Sequence, residues 1–85
     1  MSGAARYRRR MPYRELLEKH LAQAEVFIRD IEERIAAQTR TIEELEKDSP
    51  DTKHAAAVLR LLKHSLELHV ADRDRLRAEL ANLPA

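Results

Sequence analysis

The groups in this chain best placed to do chemistry are His69, Asp72 and Arg73, because two of them stand where a helix wants leucine. In the stretch LELHVADRDRLRAEL, residues 66–80, Leu66, Leu76 and Leu80 share one helical stripe, and the intervening stripe positions are His69 and Arg73. An imidazole three residues before a carboxylate shares a helix face with it. If a twofold axis passed near His69, two imidazoles and two Asp72 carboxylates would meet, making His69 and Asp72 candidates for a metal site or a pH-sensitive contact. The plainer reading is a half-buried imidazole satisfied by a carboxylate (Asp72 or Asp30) or by water, and it is preferred here. Arg73 has a structural reading too. Its stem covers apolar surface while its head reaches Glu25 or Glu32, a partly buried pairing that fixes register at some cost in stability.

The remaining reactive side chains do not assemble into a catalytic constellation. His20 is expected to face Glu79, and His54 and His64 fall on outer positions in water. Di-iron bundles need inward Glu-x-x-His pairs on facing helices, and His64-x-x-Glu67 is reversed and points outward. Ser49 and Ser65 lack the surroundings of a triad, and the chain contains no glycine-rich phosphate loop. With no cysteine, disulfides, thiolate metal sites and thiol nucleophiles are excluded. The expectation is a non-enzymatic protein with no cofactor.

A second chemistry sits at the N-terminus. Residues 1–14 hold five arginines, Arg6, Arg8, Arg9, Arg10 and Arg14, and no acid, whereas the other 71 residues carry a net charge of −4. Arg6-Tyr7-Arg8-Arg9-Arg10 interleaves one aromatic with the charges, a pattern suited to phosphate contacts and base stacking. Short basic termini also serve solubility alone. Residues 1–11 lack apolar periodicity and read as a disordered basic arm.

These groups must be positioned by helices. Among 85 residues 36% are charged and 44% hydrophobic, with one glycine, the composition of long helices or coiled coils. Residues 12–85 read as one helical unit. Pro12 suits a first helical residue, and nothing breaks the pattern until about residue 47. DSPDT, residues 48–52, is the turn. Pro50 disfavours helical dihedrals at Ser49, and Asp51 or Thr52 can accept a bond from a free N–H of the next helix. The second helix runs from about 52 to 82.

Helix 1 carries the stripe Leu17, Leu21, Ala24, Ile28, Ile31, Ile35, Gln38, Ile42, Leu45; helix 2 carries Ala55, Leu59, Leu62, Leu66, His69, Arg73, Leu76, Leu80, Leu83. Steps of three and four alternate throughout, which is coiled-coil patterning. Gln38 is the polar member of the first stripe, either a tolerated polar layer or a register pin. Folding at Pro50 makes the stripes mirror images, with 45 facing 55 and 17 facing 83. The fold class is therefore all-α, a two-helix antiparallel coiled-coil hairpin with arms of about 50 Å. One flank of the seam is charged: Glu18, Glu25 and Glu32 face Lys63 and Arg77. The other is partly apolar, with Phe27 and Val58 beside the seam and Leu16, Ala37, Leu61 and Leu68 beyond it. Leu16, Phe27, Val58, Leu61 and Leu68 are thus the candidate oligomer interface, whose burial against a second copy would give a homodimeric four-helix bundle.

From His20 to Leu80 the chain resembles a group of small, uncharacterised helical-hairpin proteins of rhizobial-type alphaproteobacteria. The resemblance rests on His20-Leu21-Ala22 with Ala24-Glu25, on Gln38, Ile42 and Leu45, on Asp51-Thr52, and on Leu66-x-Leu68-His69 with Arg73 and Leu76. The chain departs from that pattern at Ser49-Pro50, where a glycine is expected, and at Phe27, where a polar residue is usual. The resemblance implies a helical hairpin and supplies no activity, ligand or partner.

No apolar run approaches the ~18 residues of a membrane span, and Pro12-Tyr13-Arg14-Glu15 stands where a signal peptide would need an apolar stretch. The expected setting is cytoplasmic. The expected function is a structural or interaction module, an adaptor or regulator of an unidentified protein partner. The alternatives are nucleic-acid association through Arg6, Arg8, Arg9 and Arg10 and, more weakly, a metal- or pH-sensing bundle centred on His69.

Overall fold

The computed structural model describes residues 12–48 and 51–84. The arginine arm and Ser49-Pro50 lie outside the described residues. Two helices account for nearly all of the rest: α1, Tyr13–Asp48, and α2, Lys53–Asn82. No strand occurs among the described residues. The helices pack against each other along their length. Contacts from Tyr13 to Glu79 and from Gln38 to Ala55 show that they run antiparallel.

Local chemistry sets the helix ends. The Pro12 carbonyl accepts the Leu16 N–H at 3.0 Å, so Pro12 caps α1 from just outside it rather than serving as its first residue. At the start of α2 the Thr52 side chain makes no cap bond. Asp51 does this work instead, its Oδ1 accepting the Lys53 N–H at 3.3 Å, while the Thr52 carbonyl accepts the Ala56 N–H at 2.8 Å. At the far end Leu83 turns to an extended conformation and donates its N–H to the Leu80 carbonyl.

The buried residues are Leu17, Ala24, Ile28 and Ile31 on α1 and Ala55 and Leu76 on α2, all of them members of the two stripes. The other stripe residues are half-buried except Leu45, which is 39% exposed. Packing is tightest at the open end of the hairpin, where Leu17, Ala24 and Leu76 are joined by Leu21, Leu80 and Leu83.

At the open end Leu83 packs with the Leu17 cluster, as 17 facing 83 expects, but near the turn the contact differs from a fold centred on Pro50. Gln38, not Leu45, meets Ala55: its Nε2 donates to the Ala55 carbonyl at 2.9 Å. The last six residues of α1, 43–48, are exposed throughout. An evenly stepped stripe keeps its face when one helix is displaced by whole turns, so the stripes alone do not choose which residues meet. The Gln38 bond is a specific contact that does.

Candidate functional site

The chemistry-bearing side chains gather on one flank of the seam toward the open end. His20, Gln23 and Phe27 from α1, and His69, Asp72 and Arg75 from α2, line a pocket of about 190 Å³ floored by Ala24 and Leu76. His69 is half-buried. Its Nδ1 lies 2.8 Å from the Ser65 carbonyl; a carbonyl only accepts, so Nδ1 carries the proton in this contact. The Phe27 ring meets the imidazole edge-on, with centroids 5.6 Å apart and planes at 71°. His69 is thus satisfied by its own backbone and an aromatic neighbour rather than by a carboxylate.

Asp72 is engaged elsewhere. Arg75 donates to its Oδ1 at 2.7 Å and to Glu79 Oε1 at 2.7 Å, and the Tyr13 hydroxyl donates to Glu79 Oε2 at 3.0 Å. A polar ladder therefore climbs α2 from Asp72 through Arg75 to Glu79 and crosses to the first residue of α1. Arg14 adds a second crossing to the Pro84 carbonyl at 3.4 Å. Spacings of three and four place the α2 members on one face. Asp72 and Glu79 both bond the Arg75 guanidinium and hold its pKa above the ordinary value. The hydrogen bond to Glu79 likewise raises the Tyr13 phenol. Glu79 thus meets Tyr13 and Arg75, not the expected His20. Asp30 lies on a different surface, with Glu33, Arg34 and Ala37.

No group of three or more His, Asp or Glu residues is placed to hold a metal among the described residues, and no polar or charged residue there is buried.

Arg73 does not bridge to Glu25 or Glu32. It pairs with its sequence neighbour Asp74 at 3.1 Å, with 25% of its side chain exposed. The carboxylate next in the chain is reached without extending across the seam. Glu25 is met by Arg77 at 3.6 Å, a pair on the flank where acid facing base is legible in the sequence. Glu32 is exposed.

The proposed interface residues vary in exposure. Leu61 and Leu68 are the most open large apolar side chains among the described residues, at 70% and 60%, and Phe27 is 51% exposed. Leu16 is 37% exposed and Val58 is half-buried. Arg6, Arg8, Arg9 and Arg10 lie outside the described residues.

The ladder from Asp72 to Tyr13 and the Gln38–Ala55 bond were not anticipated as contacts. The spacing of Asp72, Arg75 and Glu79 carries the signal for the first. The second needs the register, which the stripes alone do not supply. No α-helix of the described chain is long and apolar enough to cross a membrane. No family model, curated protein or solved structure matches this chain.

Proposed function

We propose that the chain is a non-enzymatic interaction module that works as a dimer of hairpins, four helices in all, and serves as adaptor or regulator for a protein partner. The observation that carries this reading is the contrast between core and surface. Among the described residues six hydrophobic side chains are buried, while Leu61, Leu68 and Phe27 are each more than half exposed. A short chain gains stability from covering such side chains. A half-buried His69 bonded to its own backbone, with His20, His54 and His64 in solvent, fits a binding role better than acid–base catalysis.

Light scattering over a range of concentrations tests the assembly: a mass of about twice 9.9 kDa supports it, and a monomer at every concentration overturns it. The alternative, nucleic-acid association, draws on the concentration of positive charge in residues 6–14. It requires binding that weakens steeply with salt and vanishes on deletion of residues 1–11.

A further inference from the structure

Helix α2 carries a second stripe, on the side away from α1. Ala57, Leu61, His64, Leu68 and Ala71 step by four, three, four and three, the same rhythm as the inner seam, and lie about 160° around the helix from it. The two leucines of this stripe are the most exposed large hydrophobics of the described chain. Helix α1 has no comparable outer stripe, since Leu16, Val26 and Ala37 are separated by Lys19, Asp30 and Glu33.

The charges beside the outer stripe identify its occupant. The column next to it reads Lys53, Arg60, Glu67, Asp74, basic in the first half and acidic in the second. Arg60 and Glu67, Lys53 and Asp74, Leu61 and Leu68, and Ala57 and Ala71 are each disposed about His64 symmetrically to within half a residue. A helix with that arrangement is complementary to itself turned end over end. Laid antiparallel, Arg60 meets Glu67 of the second copy and Lys53 meets its Asp74, with leucines and alanines between. Laid parallel, the same column falls beside Val58, Ser65, Asp72 and Glu79 of the second copy, where no opposite charges meet and Glu67 and Asp74 face other acids. In the hairpin, Glu67 has only a 4.0 Å contact with His64, and Asp74 is shared with Arg73 at the surface.

We propose that two copies of the chain associate antiparallel through the outer face of α2, with the twofold axis at about His64 and ion pairs from Arg60 to Glu67 and from Lys53 to Asp74 across it. The inference rests on the dimeric reading above and gives it a face, a direction and a register. It moves the axis from His69 to His64. The two α2 helices become the inner pair and the α1 helices lie outside. The small side chains of Ala57 and Ala71 allow the inner pair a close approach.

Charge reversal tests the register. Arg60→Glu and Glu67→Arg, each exposed in the hairpin, are expected to weaken dimerisation about ten-fold or more. The double variant restores opposite charges at the same places and is expected to recover affinity to within about three-fold. Cross-linking tests the axis, with no background because the chain has no cysteine. His64→Cys treated with a short bis-maleimide is expected to give a covalent dimer, and Lys53→Cys is not, since antiparallel packing holds its two copies about 30 Å apart. Helicity measured by circular dichroism guards against misfolded variants. A wild-type monomer at all concentrations removes the functional reading and this inference together. A wild-type dimer in which the double variant is no better than the singles, or in which position 53 cross-links and position 64 does not, overturns this interface alone.

Discussion

Gln38 gives the seam a polar bond that crosses between helices, at a step where apolar packing alone would be stronger. Its amide reaches the Ala55 carbonyl at 2.9 Å, and a contact of that kind selects one register among several that bury the same stripe. Gln38→Leu is therefore expected to leave stability within about 1 kcal/mol of wild type, because the lost bond is offset by apolar burial. Its cost should appear as heterogeneity, read as broadened or doubled NMR resonances for residues 53–59. A single sharp set would mean that register is fixed elsewhere. Arg73 makes the complementary case. Its guanidinium pairs locally with Asp74 and crosses nothing, so Arg73→Leu is expected to leave stability equal or raise it by up to about 1 kcal/mol in urea unfolding. Tyr13 links composition to pH. The hydrogen bond from its hydroxyl to Glu79 favours the neutral phenol in the folded state and raises its pKa above the ordinary 10.0. A raised pKa means the contribution is present below about pH 10 and is lost as pH rises through the folded value. Wild type should thus lose stability faster than Tyr13→Phe above about pH 10, with the gap between their urea midpoints closing there.

The helices show how position decides what a leucine does. Leu76 and Leu61 share α2, yet Leu76 is 2% exposed against α1 and Leu61 is 70% exposed on the opposite side. Leu76→Ala is expected to cost about 2–5 kcal/mol of hairpin stability. Leu61→Ala should cost a dilute monomeric hairpin less than about 0.5 kcal/mol, measured by urea unfolding at the lowest workable concentration. Equal losses would mean that the outer face is already covered. The same contrast shows what the sequence makes legible. The inner stripes are readable because a period alternating three and four defines one face whatever the partner. The charged flank is readable because Glu25 and Arg77 lie beside those stripes. Register is not readable, because sliding α2 by a turn leaves every stripe residue facing inward. For the same reason the partner of Arg73 was misplaced: a long side chain reaches several carboxylates, and the nearest, Asp74, is visible only once rotamers are fixed. The outer stripe of α2 was legible throughout, but Leu61 and Leu68 stand out from Phe27 and Leu16 only when exposure is known.

At the scale of the molecule the hairpin is a rod, 66 × 30 × 15 Å with a radius of gyration of 19.7 Å, where a compact domain of this length would have about 12 Å. A rod one helix pair thick has little interior, which is why few residues are buried and why no polar or charged residue is buried among the described residues. Its stability then depends on what covers its faces. If a second copy covers the outer face of α2, folding and association are linked, and each hundred-fold rise in concentration above the dissociation constant adds about 1.4 kcal/mol per chain to the apparent stability, because free monomer grows as the square root of the total. The thermal midpoint should accordingly climb by several degrees between micromolar and submillimolar protein. The increment should shrink in Arg60→Glu and return in the variant that also carries Glu67→Arg. A midpoint independent of concentration in wild type would show that the rod is stable alone, and the case for assembly would then rest on no energetic need.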